Sequence, residues 1–180
     1  MTSEQSLVKT LDFQLKIQSN NESLLKDATL ESRWSYNETI RLAKQGVDWD
    51  EIPGRVADDA NLVKNTTQRV VAKALDAMES YHEYDDFGLP SHTKDGVYPL
   101  RANYEEGYSL TLRDDDTIEF RISAKPYKHV EGVLEGDDAH LDILRAALAG
   151  DEWNIGTAEA LFHDGTPELH INVTNTELTV

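Results

Sequence analysis

The clearest pattern of hydrophobic and polar positions lies between Leu62 and Tyr84, where apolar or small residues recur every three or four positions. This spacing predicts a long helix with one apolar face. The face is formed by Val63, Thr67, Val70, Ala74, Ala77 and Tyr81 and is widened by Val71, Leu75 and Met78. Lys64 and Gln68 lie four residues apart near the start of this helix, so their side chains share one patch of surface.

The first part of the chain predicts a strand followed by a helix. Residues 7–17 alternate between apolar and polar side chains, which is the pattern of a half-buried strand. A helical period follows from residue 22 and ends at Gly46, a residue type common after helices. Residues 47–60 are predicted to form a connector broken by Pro53 and Gly54, in which Trp49 packs against the helices.

The second half of the chain predicts mostly antiparallel strands. Residues 108–112 and 118–122 alternate around a turn and predict a hairpin, and residues 127–134 predict a further strand. A short helix is predicted over 137–149, and a second hairpin over 155–174. The whole pattern predicts an α+β protein: a small antiparallel β-barrel with a helical lobe inserted after the first strand. Barrels of this size often bind strands of nucleic acid.

The net charge changes this picture. The chain has 34 Asp and Glu against 17 Lys and Arg, a formal net charge of -17, and the acids are spread along its whole length. Dispersed acids between patterned apolar residues indicate a folded protein with an acidic surface. Adaptation to molar salt explains such a surface best, since concentrated salt screens its self-repulsion. A DNA-mimicking inhibitor is the competing interpretation.

Composition excludes several kinds of site. The chain has no cysteine, so disulfides, thiolate zinc sites and cysteine nucleophiles are excluded. It has neither an apolar run of the roughly 20 residues that span a bilayer nor a signal peptide at its start, so we expect a cytoplasmic protein with no membrane partner.

Sequence motifs for catalysis are also missing. There is no Walker motif, dinucleotide-binding glycine pattern or nucleophile elbow, and the histidines lack metalloprotease spacing. The run of three aspartates at 114–116 lacks the ligand spacing of an EF-hand. We therefore predict no catalytic residue, no metal site and no cofactor.

Several short motifs follow one another in a regular order. They are Lys9-Thr10-Leu11-Asp12-Phe13-Gln14-Leu15, then Arg33-Trp34-Ser35-Tyr36-Asn37, then Gln68 with Ala77 and Tyr81, then Gly88-Leu89-Pro90. In this order they resemble the N-terminal half of TnpB proteins, transposon-encoded RNA-guided nucleases related to type V CRISPR effectors. That family opens with Lys-Thr-x-x-Phe-x-Leu and continues with Arg-x-x-Tyr-Asn. A later helix of the family has a Gln followed nine residues on by Ala and then by aromatic residues, and Gly88-Leu89-Pro90 is similar to the family's Gly-Phe-Pro.

The resemblance implies a domain organisation and partners. Residues 1–18 and 87–180 would form the family's wedge domain, an oligonucleotide-binding-like barrel, and residues 19–86 its inserted recognition lobe. In the family these parts hold the guide RNA scaffold and recognise a short DNA motif beside the target. The family's metal-binding nuclease half and zinc ribbon would lie beyond residue 180. The chain is therefore expected to have no nuclease activity, whether as a truncated or split member with a separate nuclease half or as a domain kept for binding.

The resemblance also implies site residues. It places Lys64 and Gln68 at the positions that recognise the target-adjacent motif, and Asn103 near another contact. Physical chemistry agrees, because Gln pairs with adenine and Lys with guanine or phosphate. Arg33 is either an RNA contact or one partner of a surface ion pair. We expect several basic residues to converge on a groove between lobe and barrel: Lys9, Lys16, Arg33, Arg41, Lys64, Arg69, Lys73, Arg101, Lys125 and Lys128.

The alternative is a decayed transposon fragment that acts only as a folded protein-interaction domain, with Lys64 and Gln68 facing solvent without a role. An independent enzyme with an acid and histidine pocket is a third interpretation.

Overall fold

The computed structural model describes residues 7–18, 21–83 and 99–175, excepting the side chains of 81–83. Its elements confirm the α+β prediction. In chain order they are β1 Leu7–Ile17, α1 Glu22–Lys44, α2 Ile52–Asp59, α3 Lys64–Glu83, β2 Leu100–Ala102, β3 Tyr108–Leu112, β4 Ile118–Lys125, β5 Lys128–Glu135, α4 Asp138–Leu148, β6 Trp153–His163 and β7 Thr166–Asn175. Within these described parts, no helix combines the length and the apolar character needed to cross a bilayer.

The strands form one curled antiparallel sheet in the order β2-β6-β7-β1-β5-β4-β3. Strands β2 and β3 lie at opposite edges of this order, yet only residues 103–107 connect them. That connection reaches at most about 22 Å, whereas the edges of a flat sheet of seven strands would lie about 29 Å apart. The sheet must therefore curl until its edges approach each other, which produces the predicted barrel in an open form.

Strand β1 lies in the middle of the sheet and confirms the predicted alternation. It pairs with β7 from Leu7 to Gln14 and with β5 from Gln14 to Ile17. Between Leu11 and Leu15 its inward residues are buried and its outward residues are exposed, as period two requires. The buried residues are Leu11, Phe13 and Leu15.

The helices pack against the barrel and against one another. Leu25, Ala28 and Leu62 belong to the same core as the inward residues of the strands. Further along the chain, the second half of α1 packs with α2 and α3 in two smaller clusters, and Trp49 contacts both of them as predicted. The division of the chain into a wedge domain and a recognition lobe stays a prediction.

Two local predictions differ from the structure. Residues 52–59 form helix α2, where a connector was predicted. Pro53 lies in the first turn of α2, where its missing N–H costs no helical hydrogen bond, so this proline begins a helix and does not break one. Helix α3 begins at Lys64, two residues later than predicted. The Gly88-Leu89-Pro90 motif and the side chain of Tyr81 lie outside the described residues.

Candidate nucleic-acid interface

Helix α3 has a polar face opposite its buried face. Val70, Val71 and Ala74 are buried, as the apolar stripe predicted. The polar face follows steps of three and four and therefore forms one continuous strip along the helix. Its residues are Asn65, Gln68, Arg69, Ala72, Lys73 and Asp76.

This polar strip forms one wall of a groove whose other wall is the edge of the sheet. The groove consists of two adjoining cavities of about 240 and 160 Å³ that share Arg69 and Ala72. We call it the α3–β2 groove. It is lined by Asn65, Gln68, Arg69, Ala72, Lys73 and Asp76 of α3, Arg101 and Ala102 of β2, Asn103 and Glu106 of the following turn, and Thr157 of β6.

Carboxylates hold the cations and one amide of this groove. The Nε of Arg101 lies 3.1 Å from Oε1 of Glu159 in an ion pair, and Nζ of Lys73 lies 3.8 Å from the same oxygen. Arg101 and Glu159 are direct cross-strand partners of β2 and β6, so the sheet register itself places this ion pair. On the turn, Nδ2 of Asn103 donates to Oε2 of Glu106 at 3.0 Å.

The charges of the groove balance. Three cations stand against three carboxylates, namely Arg69, Lys73 and Arg101 against Asp76, Glu106 and Glu159. The remaining polar lining consists of the amides of Asn65, Gln68 and Asn103 and the hydroxyl of Thr157. Amides both donate and accept hydrogen bonds, which suits recognition of base edges, while guanidinium and ammonium groups suit phosphate.

The structure brings two of the four predicted site residues together. Gln68 and Asn103 line the same groove from opposite walls. Lys64 is the first residue of α3, exposed and one turn from Gln68, but it does not line the groove. Arg33 is half-buried on α1 and makes a polar contact there. The binding roles of all four residues stay predictions.

Only part of the basic set converges on the groove. Arg69, Lys73 and Arg101 line it. By contrast, Nζ of Lys16 lies 4.0 Å from Oε1 of Glu135 on the outer face of the sheet. Arg41 pairs with Glu38 along α1.

Sequence reasoning did not assign several residues of this groove. Asn65 carried a usable signal, since it continues the polar strip of α3 through Gln68, whereas Lys73 was already among the basic residues predicted to converge on a groove. No sequence pattern indicated Thr157 and Glu159, because their position beside α3 depends on the pairing of β6 with β2.

A second polar cavity, of about 300 Å³ and lined in part by Arg113, Arg121, Glu119 and Glu131, lies elsewhere among the described residues. Nowhere among those residues do three His, Asp or Glu side chains cluster so that they could hold a metal ion. At the aspartate run, Asp115 accepts hydrogen bonds from the backbone N and the hydroxyl of Thr117 at 3.2 and 2.6 Å. These bonds lower the pKa of the Asp115 carboxyl and mark it as part of a turn.

Comparison with known proteins bears on the fold. The sequence matches no protein-family model and no curated protein. Among solved structures, the chain is similar to one described as "Cryo-EM structure of the Cas12f1-sgRNA-target DNA complex", with a TM-score of 0.53 and 10% sequence identity. The match covers 94% of this chain and 58% of that chain, so the 180 residues correspond to little more than half its length. At this identity the similarity shows a shared fold.

Proposed function

We propose that this chain is a nucleic-acid-binding module of TnpB type, which holds a guide RNA and contacts DNA beside the target. One observation carries the proposal: nearly the whole chain shares its fold with a chain solved in complex with sgRNA and target DNA. The groove adds chemical support, because it gathers amides and cations on a protein whose net charge is -17.

In this proposal the amides of the groove recognise bases. Gln68 on one wall and Asn103 on the other can each form paired hydrogen bonds with an adenine edge. Lys64, one turn before Gln68 and exposed, contacts guanine or phosphate at the end of the groove. Arg69 lies between the two cavities, where it contacts the backbone of the same nucleic acid.

A double substitution tests the base-recognition step. Lys64→Ala with Gln68→Ala is expected to leave folding nearly unchanged, since both side chains are exposed, and to abolish motif-dependent DNA binding by the protein reconstituted with its RNA. Each lost bidentate base contact costs about 1–3 kcal/mol of discrimination. The matched control is Lys44→Ala with Gln45→Ala, the same exposed residue types at the end of α1. If the Lys64→Ala, Gln68→Ala variant keeps motif-dependent DNA binding, the role of α3 is purely structural.

RNA capture tests the function as a whole. The protein is purified from cells at molar salt, and the bound RNA is sequenced. Enrichment of transposon-end transcripts is the expected result. Without such enrichment the chain is better described by the alternative, a folded transposon fragment that contacts other proteins.

We further propose that this chain binds without cleaving, and that a nuclease half comes from elsewhere in a complete system. Labelled target duplex incubated with the protein, captured RNA and Mg²⁺ should remain intact. Cleavage that copurifies with the chain would overturn this part of the proposal.

We also propose that the chain comes from a salt-adapted cell. Screening of its acidic surface should raise the melting temperature as KCl rises from about 0.1 M to molar concentrations. A melting temperature independent of KCl would contradict salt adaptation.

A further inference from the structure

A single carboxylate oxygen links the two walls of the α3–β2 groove. Oε1 of Glu159 lies 3.1 Å from Nε of Arg101 and 3.8 Å from Nζ of Lys73. The carboxylate belongs to β6, the guanidinium to β2 and the ammonium to α3. All three side chains are about one third exposed, so solvent and ligands reach them.

We propose that Glu159 is an internal counterion of the groove, which lowers the salt dependence of nucleic-acid binding there. This inference rests on the proposed function, since it concerns how the same groove binds. Glu159 offsets one of the two positive charges of Arg101 and Lys73 whether or not ligand is present. Affinity then comes from the amides of Gln68 and Asn103, whose hydrogen bonds are not screened by ions.

The physical basis is counterion release. Each phosphate neutralised by a Lys or Arg releases condensed cations, and the logarithm of the binding constant falls with the logarithm of salt concentration by about 0.9 per phosphate on duplex DNA. A binder that depends on free cations therefore fails in molar salt. A cation already paired with a carboxylate neutralises no phosphate and adds nothing to this slope. Glu159 thus removes one unit of positive charge, shared between Arg101 and Lys73, from the salt-dependent part of binding.

The sheet register makes this arrangement a fixed part of the fold. Arg101 and Glu159 are paired Cα partners, held between the Leu100–Ala160 and Ala102–Ala158 pairs on either side. All four of these flanking residues are buried. The ladder therefore fixes the backbone position of Glu159 opposite Arg101.

The test compares Glu159→Gln with Glu131→Gln. Glu131 pairs with Arg121 across β4 and β5 at 3.2 Å, so its substitution changes the net charge equally and also breaks a cross-strand arginine pair, but away from the groove. Binding of a labelled mixed-sequence DNA duplex is measured from about 0.1 to about 1 M KCl. We expect the slope for Glu159→Gln to be steeper than wild type by about 1, and the slope for Glu131→Gln to match wild type.

A second substitution assigns the effect to the groove cations. Adding Lys73→Gln to Glu159→Gln should remove most of the increase in slope, because it takes away one positive charge and returns the net charge of the three positions to that of wild type. Equal slopes for wild type and Glu159→Gln would overturn the inference. Melting curves at each salt concentration establish that every variant is folded.

An inorganic probe separates this inference from the proposed function. Pyrophosphate is titrated into each variant and followed by NMR at the Nε of Arg101. We expect it to bind at least about tenfold more tightly to Glu159→Gln than to wild type or Glu131→Gln, which is the effect of one avoided charge clash. If no variant binds nucleic acid, the proposed function fails, but tighter pyrophosphate binding still supports the counterion. Equal pyrophosphate affinity overturns it.

Discussion

Gly132 is the position where a single added carbon should do most damage to the barrel. It lies on β5 opposite Ile17, at the end of the ladder between β1 and β5. A Cβ built on Gly132 would overlap the backbone carbonyl oxygen of Lys16 and lie 2.9 Å from Cε1 of Phe120. Both neighbours resist displacement, because one is backbone in a paired strand and the other is a fully buried ring. Gly132→Ala must therefore push β1 and β5 apart.

The magnitude follows from what that movement breaks. Overpacking a core position costs about 1–3 kcal/mol. The ladder has four residue pairs and continues in the hydrogen bond from Gln18 N to Glu131 O at 2.9 Å, so separation of the strands loses one or two backbone bonds at about 1 kcal/mol each. The total is about 2–5 kcal/mol, a large share of the roughly 5–15 kcal/mol that stabilises a domain. For a chain of this size it corresponds to a fall in melting temperature of about 4–20 °C.

The assay is thermal unfolding followed by far-UV circular dichroism in molar KCl. Gly54→Ala is the matched control, since Gly54 lies in helix α2 and a Cβ there would meet no atom within 4 Å. Alanine is the better helix former by about 1 kcal/mol, so the control should melt at or above the wild-type temperature. A Gly132→Ala protein that melts within about 2 °C of wild type would refute the close approach of β1 and β5.

Three further substitutions probe the fold. Asp137→Ala removes the N-cap of α4, where the Asp137 carboxylate accepts a hydrogen bond from Ala139 N at 3.1 Å. The substitution should lower the free energy of unfolding in urea by about 1 kcal/mol. An unchanged urea midpoint would contradict the cap. Thr66→Val replaces a buried hydroxyl that has no hydrogen-bond partner among the described residues and should stabilise by about 1 kcal/mol, so a loss of stability would indicate a missed partner. Burial raises the pKa of the Tyr108 phenol, whose OH donates to Gly156 O at 2.7 Å; the unfolded chain therefore loses this proton first. Wild-type stability should then fall above about pH 10, less steeply in Tyr108→Phe, and identical pH profiles would contradict the assignment.

Periodicity predicted the elements whose burial is regular. The alternation of Leu11, Phe13 and Leu15 predicted β1, and the buried stripe through Val70 and Ala74 predicted α3. Helix α2 was not predicted, because a proline such as Pro53 can either interrupt a helix or occupy its first turn, and the sequence alone does not distinguish the two. Strand β2 was not identified because its three residues are too few to show a period.

The groove was predicted only in part, because some of its residues are far apart in the sequence and meet only through strand pairing. Gln68 came from the family resemblance together with its helical position, and it does line the groove. Glu159 could not be predicted, because it follows Arg101 by 58 positions and meets it only through the β2–β6 register. Strand β6 also has a shift between Ile155 and Ala158 in its pairing with β7, and one residue more or less there would turn Glu159 to the other face of the sheet.

The turn that closes the barrel also builds the site. The half-sheet β2-β6-β7-β1 is joined to β5-β4-β3 by the β1–β5 ladder and by the turn at 103–107. The turn is tight, since Glu105 has a φ of 67° and a Cβ on Gly107 would lie 2.7 Å from that of Ala102. Because the same turn places Asn103 and Glu106 in the groove, a ligand bound there holds one junction of the barrel closed. Binding energy is then also folding energy, so nucleic acid that occupies the groove should raise the melting temperature of Gly132→Ala, in which the other junction is weakened, at least as much as that of wild type.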